Sequence, residues 1–433
     1  MSYRKVLIIT YYWPPSGGSG VQRWLKMSKY LPEFGWEPVI FTPENPDFDL
    51  KDESLLKEVN PHMEVIKYPI WEPYQLFRKL KGDKKADQKV LENKQLGLLD
   101  QLALWLRGNL LIPDPRRFWV KPASQFLQDI LVSNEIDIII TTGPPHSMHL
   151  IGASLHQKSG IPWIADFRDP WTDWDFLDTL KLSRWARAKH DKLEQKVLQS
   201  ASHILTISPT FAEQLRVKGG KAAISVLTNG YDTADVPVLP EIDPATSQLN
   251  IVYAGVIDAI RDPRPLFKAC KSLPEELQSK WQIDFVGKVS EKIKEEVGND
   301  PQLKDHVFFR GYVSHQEVFD YYEKADLLLL VLTNTKNAKG NIPGKIFEYA
   351  ASGRFILALG DPEGDAAQII HQYRIGKVFA HDQIEALRDF LLTVINDKSS
   401  LRVKSDQVMA YERKNLTHQL AKILDQYVKD PLS

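Results

Sequence analysis

Short apolar runs alternate with longer amphipathic stretches from one end of the chain to the other. In the first half the runs Lys5–Tyr11, Pro38–Thr42, His62–Lys67, Ile136–Thr141, Pro162–Asp166, His203–Ile207 and Ile224–Leu227 are short and rich in β-branched residues, which predicts strands. Asn229-Gly230 marks a turn, and the Pro- and Asp-containing stretch from Val236 to Thr246 has no periodicity and reads as a linker. The pattern then restarts, with strands predicted at Asn250–Ala254, Gln282–Val286, His306–Phe309, Ala325–Val331, Phe355–Ala358 and Lys377–Phe379. Helices are predicted at Leu266–Ser272, His315–Glu323 and Ile346–Ala351, the second with Ser314 and Glu317 at capping-box spacing. Such alternation builds parallel α/β layers. Each half opens on a β-branched strand that runs into glycines, Val6 to Thr10 before Gly17, Gly18 and Gly20, and Ile251 to Ala254 before Gly255. Two Rossmann-like doubly wound domains are therefore expected, with ligands beyond the carboxyl ends of their strands and an active site in the cleft between them.

The length of 433 residues fits two large domains or three small ones. With 43% apolar and 26% charged residues, and 55 Lys and Arg against 56 Asp and Glu, the chain is neither a charged disordered polymer nor a globally basic nucleic-acid binder. Its one cysteine, Cys270, excludes an intrachain disulfide and a Cys-rich zinc site. The longest apolar run, Leu327 to Leu332, is far too short to span a bilayer. The first apolar run stops at Tyr11-Tyr12-Trp13-Pro14-Pro15, unlike a signal peptide, so a cytoplasmic protein is expected. Residues 71–125 change the picture: eleven basic residues stand against six acidic ones, interleaved with Trp71, Tyr74, Phe77, Trp105, Phe118 and Trp119. That mixture suits peripheral contact with an anionic membrane or a phosphorylated lipid, the alternative being a solvated helical excursion whose aromatics pack inward.

Four segments place candidate chemistry just after strands. The loop bearing Gly17 and Gly18 leads into a helix and would bring backbone amides to a phosphate or sugar. Arg23 stands where a dinucleotide fingerprint needs glycine or alanine, and no Walker Gly-Lys-Ser/Thr follows. His146 follows Gly143-Pro144-Pro145 and is a candidate for a substrate hydroxyl, with a solvent-facing turn histidine as the alternative. Asp166, Arg168, Asp169 and Trp171 sit together past a strand, where charges are costly unless paired or ligand-bound; a structural pair of Arg168 with Asp166 or Asp169 is the bland outcome. Asp47-Phe48-Asp49 and Asp173-Trp174-Asp175 have metal-like spacing but no surrounding cluster, and no metal site is assigned. In the fourth segment, Gly340-Asn341-Ile342-Pro343-Gly344-Lys345 opens a helix that continues to Glu348 and Gly353. Lys345 is placed to neutralise a diphosphate and Glu348 to accept hydrogen bonds from paired ribose hydroxyls. Arg261, in the turn ending at Arg264, offers a further cation.

Together with Ser208-Pro209, Thr228-Asn229-Gly230-Tyr231-Asp232 and Tyr253-Ala254-Gly255, these segments resemble the GT-B glycosyltransferases, specifically glycosyltransferase family 4, over nearly the whole chain. That group is nucleotide-sugar dependent, retaining and frequent in cell-envelope polysaccharide synthesis. The resemblance implies an acceptor domain over 1–240, a donor domain over 247–405 and a helical segment, 406–433, packing back on the first. It implies a UDP- or GDP-sugar donor, a glycan or lipid-diphosphate-linked acceptor at the inner face of the plasma membrane, and no metal or other cofactor. Arg261 and Lys345 would stabilise the leaving diphosphate. Gly17, Gly18, Gly255, Asn341, Gly344 and Glu348 would line the donor, and His146, Arg168, Asp169 and Trp171 would orient the acceptor. Two positions depart from the family pattern: Gly340 stands eight residues before Glu348, where a first glutamate is common, and Val256 follows Gly255 in place of an arginine. A nucleotide-sugar epimerase or hydrolase and a non-enzymatic two-lobed sugar-binding protein are the rival functions. A nicotinamide dehydrogenase is disfavoured by Arg23 and by Thr42 at a strand end where an acidic ribose ligand is expected.

Overall fold

The computed structural model describes residues 4–48, 50–73, 98–237, 239–242, 246, 248–401, 403 and 405–428. Asp49, part of the expected linker and the basic and aromatic residues between 74 and 97 lie outside the described residues.

All thirteen expected strands are present, each end within two residues of its expected place. The first seven are β1 (Arg4–Ile9), β2 (Trp36–Pro43), β3 (Glu64–Tyr68), β4 (Ile138–Gly143), β5 (Trp163–Phe167), β6 (His203–Thr206) and β7 (Ala223–Val226). They form one parallel sheet in the order β3-β2-β1-β4-β5-β6-β7. The other six are β8 (Leu249–Ala254), β9 (Trp281–Val286), β10 (Val307–Gly311), β11 (Leu327–Val331), β12 (Phe355–Leu359) and β13 (Gly376–Phe379), in a second parallel sheet ordered β10-β9-β8-β11-β12-β13. Both sheets reverse their winding beside their first strand, at β1/β4 and at β8/β11. This is the doubly wound topology, and its crevices open at those switch points.

The apolar runs of the central strands are continuous because those strands are covered on both faces. In β1, Leu7 and Ile9 join a core with Trp119, Ile139 and Trp163, while Val6 and Ile8 point to the opposite core with Trp24, Ile40 and Leu205. In β11, Leu327, Leu329 and Val331 face one cluster and Leu328 and Leu330 the other. The helix Arg413–Asp425 supplies Leu416, Leu420 and Leu424 to the Trp24 side of the first core, and Asp425 accepts from Trp36 Nε1 at 2.9 Å.

The chain divides into two compact units, one ending at Thr228 and resuming at Arg413, the other running from Asn229 to Glu412. Residues past Asn229 are bound into the second unit: Tyr231 bridges to Glu412, and Val236 and Leu239 pack on the core that holds Tyr349 and Ile356. Lys398, buried, is held there by the Asp326 carboxylate at 2.8 Å and the Gln248 carbonyl at 2.7 Å. Among the described residues no helix is long and apolar enough to cross a membrane.

Candidate functional site

In the second unit the polar groups gather at the carboxyl end of β8. Gly255 follows that strand directly, with φ +139°, a conformation that L side chains rarely adopt. A Cβ there would sit 1.7 Å from Lys345 Nζ, so the lysine lies directly on the Gly255 backbone. The same close packing continues at Gly287, past β9, where a Cβ would meet the Gly255 carbonyl oxygen at 2.1 Å. Lys345 is the first residue of the helix Lys345–Ala351, and its Nζ stands 5.2 Å from the centre of the Tyr253 ring. Burial pushes its pKa down to about 8, Glu348 one turn on opposes the shift and Arg261 adds to it. Lys345 therefore feels the charge of two other residues singled out in the sequence. Arg261 is held by Asp258, Nη1 to Oδ2 at 2.6 Å, and keeps about a third of its side chain exposed.

A frame of tyrosines, not foreseen in the sequence, fixes this corner. Tyr349 on the Lys345 helix accepts the Ala254 amide at 3.1 Å, and Tyr253 donates its hydroxyl to the Val256 carbonyl at 2.9 Å. Tyr322 meets the Tyr349 ring edge-on, and burial raises the pKa of all three phenols, so they stay neutral. Asn341 Nδ2 donates to Thr333 Oγ1 at 3.3 Å, tying the turn before the helix to the end of β11. Around Gly344 a Cβ would meet nothing within 4 Å: its backbone faces open space. Arg264 does not join the cluster, being paired with Glu296 and Asp262.

In the first unit the carboxyl ends of β4 and β5 meet the start of the helix Ser19–Tyr30. Asp166, fully buried, is the centre. It takes a bidentate pair from Arg23 at 2.9 and 3.0 Å and further bonds from Trp24 Nε1 and Thr142 Oγ1, each at 2.9 Å. Arg23, equally buried, spends its remaining nitrogen on the carbonyls of Leu227 and Thr228. Four segments distant in sequence are thus fastened by one ion pair whose hydrogen-bonding capacity is used on both sides. Arg168 pairs with Asp169 at 2.9 Å and lies across the glycine loop, where a Cβ on Gly20 would come within 2.7 Å of its Nη1.

His146 is buried and stacks on Trp171 with 4.8 Å between ring centres and 3° between planes. Neither of its ring nitrogens makes a well-formed hydrogen bond to protein. Burial, then the neighbouring His149 and His190, hold its pKa well below the usual value, so the ring is neutral. Trp171, also buried, donates its indole N–H to His190 Nδ1 at 3.1 Å, so it bears on the site through His146 and not by presenting a ring at the surface. His149 is likewise depressed by burial, to about 3, and shares a hydrogen bond with Thr141 Oγ1. Behind this loop Glu194 receives Thr172 and Lys218, and Lys218 also pairs with Asp173, which accounts for that carboxylate structurally.

Gly17 and Gly18 belong to this unit, whereas Gly255, Asn341, Gly344 and Glu348 belong to the other. Gly17 donates its amide to the Leu50 carbonyl at 2.9 Å and packs on the Leu50 side chain, so that amide is already spent; Gly18, with φ +88°, caps the helix. Among the described residues no group of three His, Cys, Asp or Glu side chains is placed to hold a metal ion. The basic excursion divides: Arg116 and Glu72 form an ion pair at 2.9 Å under Tyr11, and Trp119 is core, while Trp71, Trp105 and Phe118 remain exposed.

Comparison with known proteins gives a consistent outcome. Residues 17–230 match the Glycosyl transferase 4-like domain and residues 248–397 match Glycosyl transferases group 1. No curated protein matches the sequence. Among solved structures, a glycosyltransferase from Rickettsia africae superposes with a TM-score of 0.65 at 13% identity, covering 99% of this chain and 100% of its own. Sucrose-phosphate synthase from Thermosynechococcus elongatus gives 0.62 at 14% over 98% of both chains. HepE of Anabaena, solved with UDP and glucose, gives 0.61 at 15% over 98% of this chain and 99% of its own. At these identities the likeness is one of fold.

Proposed function

Taking the chain as a glycosyltransferase of GT-B architecture, the premise its two matched domains supply, we propose that it moves a sugar from a nucleoside-diphosphate sugar, UDP- or GDP-linked, to a glycan or lipid-diphosphate-linked acceptor. The observation that carries this is Lys345 lying on the bare backbone of Gly255, within electrostatic reach of Arg261 and Glu348. A lysine at an open glycine turn, with a second cation in electrostatic reach, suits a diphosphate, and a carboxylate one helical turn further suits a ribose diol. During transfer the bond between the anomeric carbon and the diphosphate oxygen breaks and negative charge grows on that oxygen, so Lys345 and Arg261 act by electrostatic stabilisation. The acceptor oxygen bonds to the same face of the anomeric carbon and its proton passes to the leaving diphosphate, which retains configuration. With cations of the protein in that role, the reaction is metal-independent. His146, neutral and short of hydrogen-bond partners, and the Arg168–Asp169 pair orient hydroxyls of the acceptor. The enzyme works at the inner face of the cytoplasmic membrane, in cell-envelope polysaccharide synthesis.

Calorimetric titration with UDP, GDP, ADP and NAD, with and without chelator, tests the donor site. One nucleoside diphosphate should bind, survive chelator, and weaken in Glu348→Ala. Arg261→Ala and Lys345→Ala should each lower turnover strongly with the fold intact. Indifference of nucleotide binding to all three variants sinks the assignment, and products formed from the donor without acceptor would favour an epimerase or hydrolase.

A further inference from the structure

One face of the first unit carries large apolar side chains that stay exposed among the described residues. Trp71, Leu102, Trp105, Leu110, Phe118 and Trp185 are each between 42% and 60% exposed. They are neighbours. Trp71 and Phe118 meet edge-on with ring centres 5.0 Å apart, and the Arg117 guanidinium lies over Phe118 while donating to the Leu110 carbonyl at 2.8 Å. Leu110 ends the helix Leu98–Leu110, whose outer face presents Leu102 and Trp105. That helix is pressed on the segment before Trp185: Asn109 accepts the Ser183 amide at 2.7 Å, Leu104 packs with Leu177 and Leu180, and a Cβ on Gly108 would strike Leu182.

Cations are set among these side chains. Lys189 stands over the Trp185 ring at 4.7 Å, Arg184 and Lys181 are exposed beside it, and Lys121 is exposed one turn from Phe118. Between residues 181 and 190 there is no acidic residue. The combination decides between occupants: the buried centre of a protein–protein contact is depleted of lysine, whereas the headgroup zone of a bilayer takes aromatic rings with ammonium and guanidinium groups beside them at the level of the phosphates.

We propose that this face, formed by the outer sides of the helix Leu98–Leu110, the start of the helix Arg184–Ser200 and the Trp71–Phe118 pair, docks on the surface of an anionic phospholipid bilayer. The rings and leucines enter the acyl–headgroup boundary and Arg117, Lys121, Lys181 and Arg184 meet lipid phosphates. It deepens the membrane-facing acceptor reading above by naming the surface and its lipid chemistry, and includes residues 181–189, which no charge count over residues 71–125 contains.

The experiment is flotation of the full chain with phosphatidylcholine vesicles, with and without phosphatidylglycerol, at low and high salt. The protein should float with the anionic vesicles only, and be released by high salt. Trp105→Ser with Phe118→Ser, and separately Lys121→Glu with Lys181→Glu, should each weaken binding by about tenfold. All four side chains are outside the core and the proposed donor site, so melting temperature and nucleotide titration should match wild type; those same titrations keep a failure of this surface distinct from a failure of the glycosyltransferase assignment. Absence of flotation of the folded protein on anionic vesicles overturns the proposal, as does equal binding by both variants. Self-association in sedimentation that the Trp105→Ser/Phe118→Ser protein loses also overturns it, since a second copy would then be the occupant.

Discussion

If Lys345 neutralises the donor's diphosphate, nucleotide affinity must follow its protonation. In the free protein its pKa stands at about 8, chiefly because burial disfavours the ammonium. The lysine is then mostly charged at pH 7, half charged at pH 8 and about a tenth charged at pH 9. The terminal phosphate of a nucleoside diphosphate loses its last proton near about pH 6, so the ligand's own charge is constant over that range. Binding that requires the ammonium should weaken about tenfold from pH 7 to pH 9 and take up close to one proton at the upper end. Calorimetry at three pH values, each in two buffers of different ionisation enthalpy, reads both quantities. Lys345→Arg, charged throughout, should flatten the profile even where its affinity is lower. Constant affinity from pH 7 to 9 in wild type, or the same decline in Lys345→Arg, refutes the assignment. Stability supplies an independent sign. The folded pKa lies below the unfolded value of 10.5, so between about 8 and 10.5 the unfolded chain holds the extra proton and stability rises with pH. Below pH 8 both states are protonated and the folded state bears the full cost of the buried charge, roughly 3 kcal/mol. Lys345→Met should therefore melt higher than wild type at pH 7, with the difference closing towards pH 10.5.

Gly255→Ala should cost about 1–3 kcal/mol for its backbone conformation and displace Lys345, lowering nucleotide affinity at least tenfold, whereas Gly344→Ala should leave the melting temperature nearly unchanged because its surroundings are open. Arg23→Met leaves the Asp166 carboxylate buried without its counter-ion and should destabilise by about 3–5 kcal/mol; the double variant Arg23→Met/Asp166→Leu should recover part of that, which thermal denaturation of the three proteins checks. Ser314→Ala removes a capping box whose two reciprocal bonds are both formed and should cost about 1 kcal/mol, seen as faster amide exchange over residues 315–319.

The strands were legible because parallel sheets covered on both faces demand unbroken apolar runs of the length of a strand, as at Leu327–Val331, and such runs are hard to mistake. The corner around Lys345 was half legible. Lys345, Glu348 and Gly255 stand out by residue type after strands, but the tyrosine frame does not, since the roles of Tyr253, Tyr322 and Tyr349 come only from the close approach of β8 to the helix at 345.

The first unit shows why charges are harder to read than strands. Asp166 was visible as a carboxylate at the end of a buried strand, and Arg23 only as the residue that breaks a dinucleotide fingerprint. Each alone is a costly anomaly; only three-dimensional proximity reveals that they satisfy each other across 143 positions. Once Arg23 has taken Asp166, Arg168 is left to Asp169, and the pair next to it in sequence stays partly exposed beside the glycine loop. A local ion-pair rule would have joined Arg168 to Asp166 equally well and buried both. The distant pairing is therefore what leaves a guanidinium and a carboxylate partly exposed in the first unit, as the proposed contact with an acceptor hydroxyl requires.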